Sequence, residues 1–183
     1  DDRGRGPDSV SEFTLDSAGI PTSIIVSGVD YMKAEVHETF TRVDGRAEWK
    51  SGADSGWANS DAFYLPLDGP PESLALLAAA LLKNSDEQLA LLPTGYARIE
   101  KVARLTYDDD LTIEHVELHG LGFEPLPLWL NTDGSLFAMV DAWMSVIEQG
   151  HQGMIEDLLN RQDDRRLARF EQMTEEARME VLD

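Results

Sequence analysis

The stretch that decides the fold is Gly120–Met144, which reads GLGFEPLPLWLNTDGSLFAMVDAWM. It contains the turn-forming pair Asp133-Gly134 between two apolar runs. Such a pair is typical of a β-hairpin, so we expect one strand over residues 126–130 and another over 136–140.

Two of the four tryptophans of the chain, Trp129 and Trp143, lie in this stretch, which holds no histidine and no cysteine. Without a reacting group nearby, we interpret both tryptophans first as core residues. Aromatic side chains also line ligand pockets, so contact with an apolar ligand is the alternative.

Alternating apolar and polar residues predict further antiparallel strands on both sides of this hairpin. Asp44-Gly45 indicates a second hairpin, because an Asp-Gly pair favours a tight turn between strands. The expected strands cover residues 11–16, 20–26, 33–43, 46–49, 97–107 and 111–119.

Two helices complete the predicted architecture. The Ala- and Leu-rich run Pro71–Lys83 is apolar nearly all round, so we expect a buried helix against the sheet. From His151 the chain predicts a long amphipathic helix, with a second apolar stripe at Leu167, Phe170, Thr174, Ala177 and Val181. The charged residues 163–166 before this stripe indicate either a bend or a fully exposed turn.

The predicted fold class is therefore α+β: a curved antiparallel sheet, similar to a half-barrel, on a buried helix. Residues 1–150 form the predicted sheet domain, and residues 151–183 form a helical extension that leads to a further domain or partner. The extension's apolar stripe also suggests a homo-oligomer.

Charge excludes several kinds of partner. The chain has 35 acidic and 15 basic residues, a net charge of −20. Such a surface repels phosphate backbones and anionic lipid headgroups, so we expect neither nucleic acid nor a membrane surface as a partner. The longest apolar run, Leu74–Leu82, is too short for a bilayer span, which needs about 20 residues.

Cysteine is absent, which excludes disulfides, thiolate metal sites and cysteine nucleophiles. No signal peptide opens the chain, which starts with Asp rather than Met, and we expect a processed or truncated product.

One group of residues has the composition of a metal site. His115, Glu117 and His119 alternate along a predicted strand, so their side chains share one face and offer zinc-type ligands. Consecutive same-side positions are about 6.5–7 Å apart, a spacing that favours a polar sheet face over a single ion. For Asp108–Asp110 we prefer a solvated loop tip, because the calcium-loop spacing is missing.

Several segments resemble the region upstream of the catalytic barrel in exported bacterial metal-dependent amidohydrolases. They are DDRGRGPD (1–8), GVDYMKAEVHETF (28–40) with WKS (49–51), FYLPLDGPPESLALLAAALL (63–82) and GLGFEPLPLWLNTDGSLFAMVDAWMSVIEQG (120–150).

This resemblance covers most of residues 1–160. It implies a non-catalytic structural or interaction domain of a zinc-dependent C–N hydrolase, located in the periplasm or secreted. The implied partner is the amidohydrolase barrel, in the same or a second chain. Zinc would belong to that barrel, which typically needs about 250 residues, and no cofactor or catalytic residue is assigned to this chain.

The predicted sheet is also similar to the half-barrels of bacterial lipoprotein carriers, whose concave face holds lipid. This resemblance implies the alternative function, a periplasmic module that binds an apolar ligand. The residues expected to line its cavity are Phe13, Phe40, Trp49, Trp129 and Trp143.

Overall fold

The computed structural model describes residues 6–107 and 111–180, with the side chains of residues 176, 177, 179 and 180 excepted. The predicted loop tip Asp108–Asp110 and the predicted stripe residue Val181 lie outside the described residues, as does the side chain of Ala177.

The α+β fold class is confirmed, with the strands divided between two sheets instead of one. The first sheet is a meander of five antiparallel strands in chain order. Its strands are β1 (Asp8–Leu15), β2 (Pro21–Val29), β3 (Glu35–Val43), β4 (Arg46–Lys50) and β5 (Ser55–Asn59).

The second sheet has seven strands, in the order β12-β11-β10-β9-β8-β7-β6. All neighbours are antiparallel except β6 and β7, which run parallel and are joined through the helix α1 (Glu72–Lys83). Its strands are β6 (Phe63–Tyr64), β7 (Gln88–Leu92), β8 (Tyr96–Tyr107), β9 (Leu111–His119), β10 (Leu126–Asn131), β11 (Leu136–Val140) and β12 (Ser145–Ile147).

Both predicted hairpins are present. Asp44 and Gly45 have φ angles of 50° and 77°, the left-handed pair that a tight two-residue turn between β3 and β4 requires. The Asp133-Gly134 turn joins β10 to β11, with the N–H of Asn131 donating to the carbonyl of Ser135 at 2.9 Å. The decisive stretch therefore forms the hairpin that its sequence predicts.

Helix α1 is buried, as predicted, because its small and branched side chains fit closely against the second sheet. Leu77, Ala78 and Leu81 have no exposed surface and share one core with Ile99 and Leu118 of that sheet. The helix starts directly after Pro71, a residue whose fixed φ suits a first helical turn.

Helix α2 (Ile155–Glu180) follows a short 3₁₀ turn over Gln152–Met154 and covers the other face of the second sheet. The helix is continuous through residues 163–166, so the turn predicted there as one alternative is not formed. Leu158 is fully buried beside Trp129 and Phe137. The seven-stranded sheet thus lies between α1 and the first half of α2.

The first sheet packs against the edge of the second. Ile24, Val26 and Phe40 form a core with Tyr64 of β6 and Leu92 of β7. No helix within residues 6–107 and 111–180 has the length and apolarity that crossing a bilayer requires.

Candidate functional site

A cavity of about 740 Å³ lies between the two sheets. The first sheet and the β4–β5 loop supply one wall, and the segment between β6 and α1 supplies a second. Leu and Met residues of α1, of the second sheet and of its connecting loops supply the rest. The residues that define these walls are Trp49, Ala53, Asp54, Tyr64, Pro66, Asp68, Pro70, Leu74, Leu121, Leu126, Met139 and Met144.

Trp49 is held in the cavity wall by its neighbours on the first sheet. Its indole Nε1 donates to Asp54 Oδ2 at 3.2 Å. The ring crosses Gly56, its register partner on β5, where a Cβ atom would lie 2.6 Å from the indole Cζ2. Any side chain at position 56 would push the ring aside, so glycine there fixes where Trp49 sits.

A buried carboxylate fixes the second wall. Glu38 has no exposed surface, and its Oε1 accepts hydrogen bonds from the Tyr64 hydroxyl at 2.7 Å and from the N–H of Leu67 at 3.0 Å. Its Oε2 accepts from the N–H of Asp68 at 2.9 Å. Three donors satisfy this buried charge, which ties the segment after β6 to the first sheet.

The electrostatics of this wall are acidic. Burial, followed by the hydrogen bond and charge of Glu38, raises the pKa of the Tyr64 hydroxyl, so Tyr64 is a neutral donor. Burial and the charges of Glu38 and Asp30 raise the pKa of Asp68. The cavity therefore combines apolar walls with carboxylate oxygens.

The structure separates the predicted ligand-lining residues. Trp49 lines the cavity. Phe40 does not, because its ring is stacked on Tyr64 at 4.8 Å inside the core of the first sheet. Phe13 lies at the edge of that same core.

The two tryptophans of the decisive stretch have opposite environments. Trp129 is fully buried under α2, so it is a core residue and does not line the cavity between the two sheets. Trp143 is 92% exposed, because it follows β11 in a turn whose N–H groups bond to Asp141. The expectation that Trp143 packs in the core is wrong.

The predicted metal ligands are only partly brought together. Glu117 and His119 lie beside Glu100 of β8, with one potential ligand atom of each within 4.8 Å of the others. His115 is outside this group, because its ring is stacked on Trp129 at a centroid distance of 4.2 Å. A zinc ion bound by all three predicted residues does not match this arrangement.

Arginines of α2 already neutralise this acidic group. Glu100 and Glu117 are register partners, and adjacent like charges on a sheet repel each other. Arg165 donates to Glu100, and Arg169 donates to Glu117. His119 Nε2 lies 3.2 Å from Glu100 Oε2. The cluster is thus an ion-paired contact that seats α2 on the sheet.

Burial and, to a lesser extent, Arg165 and Arg169 lower the pKa of His115 to about 4. Its ring is therefore neutral at pH 7. Gln162 of α2 also contacts Trp129. With its amide oxygen facing the indole, Gln162 accepts a hydrogen bond from Trp129 Nε1 at 3.0 Å, and its amide nitrogen donates to the carbonyl of Val140 at 3.0 Å. These contacts hold α2 against the second sheet.

Sequence reasoning missed Glu38 and Asp68. Glu38 lies on the same inward face of β3 as Val36 and Phe40. A charged residue on that face was a detectable signal of a specific buried contact.

Comparisons with protein families, with curated proteins and with solved structures find no match to the chain.

Proposed function

We propose that this chain is a binding module that holds an apolar ligand in the cavity between its two sheets. The observation that carries the proposal is the cavity itself, whose volume of about 740 Å³ falls in the range of about 300–1,000 Å³ typical of small-molecule sites. Its walls are mainly Pro, Leu, Met, Trp and Tyr side chains.

Preorganisation supports this function. Trp49 is fixed by Asp54 and Gly56, and Tyr64 is fixed by Glu38. A ligand that meets side chains already held in place loses less binding free energy to ordering them. The same contacts explain why buried polar groups stand next to an otherwise apolar cavity.

The test is saturable binding of the neutral fluorescent probe N-phenyl-1-naphthylamine. We expect wild-type protein to bind it at one site with increased fluorescence, and Ala53→Trp to lose binding because the exposed Ala53 lies in the wall, where an indole would fill space. Trp49→Ala should weaken binding by about tenfold through the loss of one aromatic contact.

The matched control is Trp57→Ala. Trp57 lies on β5, stacks on Arg46, is 59% exposed and is not part of the cavity wall. If the probe fails to bind wild-type protein, or if Trp57→Ala weakens binding as much as Trp49→Ala does, the proposal is wrong.

The second candidate function is that of a non-catalytic interaction domain of an exported amidohydrolase-like protein, as the sequence resemblance implies. The specific observation in its favour is the second half of α2. Leu167, Phe170 and Met173 recur every third residue and are 60%, 49% and 56% exposed. An apolar stripe of this kind suits a catalytic domain or a second copy of the chain as its partner.

Sedimentation velocity tests this stripe. We expect concentration-dependent self-association of the wild-type protein, and a monomer when all three residues are changed to glutamine. The midpoint of thermal unfolding at low concentration should stay within about 2 °C, because exposed substitutions affect stability little. A wild-type chain that stays monomeric at every concentration rules out the homo-oligomer through α2.

A further inference from the structure

The charges around the cavity select among apolar ligands, and this inference rests on the proposed binding function. Among the described residues, the cavity wall includes two carboxylates, Asp54 and Asp68, and no lysine, arginine or histidine. An anionic head group such as a carboxylate or phosphate would meet only like charge there. A cationic head group would find two counter-charges.

The aromatic side chains of the wall reinforce this preference. Trp49 and Tyr64 border the same cavity, with the Trp49 indole hydrogen-bonded to Asp54. The faces of aromatic rings attract ammonium groups, and an aromatic wall with nearby carboxylates is a recurrent arrangement around quaternary ammonium ligands. The indole hydrogen bond orients the Asp54 carboxylate toward Trp49, so both features occupy one side of the cavity.

Asp68 is placed to act as the counter-charge. It is half-buried, and its N–H is anchored by Glu38 Oε2 at 2.9 Å. Within residues 6–107 and 111–180, no ion pair joins its carboxylate to a basic side chain. Burial, Glu38 and Asp30 raise the pKa of Asp68, which means that its negative charge is under-compensated. A bound cation would supply the counter-charge that Asp68 lacks.

We propose that the cavity binds a cationic amphiphile, with the alkyl portion between the two sheets and the ammonium head beside Asp54 and Asp68 against Trp49. The ligand class is thus an apolar amine or quaternary ammonium compound, and fatty acids and phosphate-bearing lipids are excluded from tight binding. The net charge of −20 adds long-range attraction for such a ligand.

The experiment compares three ligands with one chain length and different heads, namely decyltrimethylammonium, decanol and decanoate, below their micelle-forming concentrations. Each displaces N-phenyl-1-naphthylamine from the purified chain. We expect the ammonium compound to bind at least about tenfold more tightly than decanoate, with decanol between them. Raising the salt concentration should narrow this difference through screening.

Two variants test whether Asp54 and Asp68 cause the preference for the ammonium head group. Asp68→Asn and Asp54→Asn keep the shape of the wall and should each weaken decyltrimethylammonium binding by about fivefold, with decanol unaffected. Glu48→Gln is the control, because it removes the same charge from an exposed position on β4 outside the cavity wall.

The outcomes separate this inference from the function on which it rests. Equal binding of all three ligands overturns the charge selection and leaves apolar binding intact. An equal loss in Glu48→Gln and Asp68→Asn assigns the preference to the overall charge of the protein and also overturns it. Failure of decanol and of the probe to bind overturns the proposed function itself.

Discussion

Replacing Glu38 with alanine is expected to lower the free energy of unfolding by about 3 kcal/mol, the largest effect of any single change at the cavity. The substitution removes the acceptor for the Tyr64 hydroxyl and for the N–H groups of Leu67 and Asp68. The Tyr64 hydroxyl is buried and the two N–H groups are partly buried, so water replaces the lost hydrogen bonds only in part. Urea unfolding followed by tryptophan fluorescence measures the change.

Glu48→Ala is the matched control for this prediction. Glu48 lies one strand away, its side chain is 57% exposed, and its partner Arg46 is 49% exposed. Such surface pairs contribute about 0–1 kcal/mol. Equal losses in the two variants would contradict the structural role of Glu38. The Glu38 variant should also lose probe binding, because the wall from Tyr64 to Asp68 loses its anchor.

Acid is expected to destabilise the protein through His115, by an amount that approaches about 3 kcal/mol at pH 4. The pKa of His115 falls from its ordinary 6.5 to about 4 in the folded chain, chiefly by burial. The unfolded state therefore binds a proton between pH 6.5 and 4 that the folded state does not. This contribution to stability is complete above pH 6.5 and is lost as the pH falls towards 4.

The His115→Phe variant isolates this effect. The buried Nε2 atom of His115 has no hydrogen-bond partner among the described residues, so phenylalanine loses no bond there and can keep the stacking on Trp129. At pH 7 we expect the variant to have a free energy of unfolding similar to that of the wild type. Between pH 7 and pH 4 that free energy should fall less in the variant, as measured by denaturant titrations. His37→Gln, at an exposed position, should keep the wild-type slope. If the free energy of unfolding falls equally with pH in wild type and His115→Phe, the prediction is wrong.

Local patterns were sufficient to predict most of the fold. The Asp44-Gly45 and Asp133-Gly134 turns are specified by residues that accept left-handed conformations, and both appear where the sequence places them. The run Pro71–Lys83 forms a buried helix because its Ala- and Leu-rich sequence has no polar face to expose to water.

Long-range pairing is where sequence reasoning failed. Alternation predicts a strand but not its sheet, so nothing local indicated that the chain divides into two sheets at Asn59 and Phe63. The short strands β6 and β12 contain two and three residues, too few to show alternation. Within residues 163–166 of α2, Arg165 pairs with Glu100 and Glu117 of the second sheet, contacts that no local pattern in the sequence indicates.

The candidate site was predicted only through Trp49. Phe40 and Trp49 are register partners on one face of the first sheet, and both contact Tyr64. Phe40 is fully buried in the core, whereas Trp49 is only partly buried and also borders the cavity, a difference that depends on long-range packing. Glu38 and Asp68 act through backbone contacts 29 and 30 residues apart along the chain, which no motif encodes. Glu117 was selected for metal chemistry, but its partners are arginines on a distant helix.

The order of strands has a consequence for how the chain reaches this structure. Ten of the eleven connections between consecutive described strands join hydrogen-bonded neighbours, and the connection from β5 to β6 passes between the sheets. Among these neighbours only β6 and β7 are parallel, and this pair needs a crossover through α1. Sequential hairpins close short loops, which costs little chain entropy, whereas a crossover must wait for its helix. The cavity depends on β6 for Tyr64, so the binding site should be assembled late, after each sheet has formed its own hairpins.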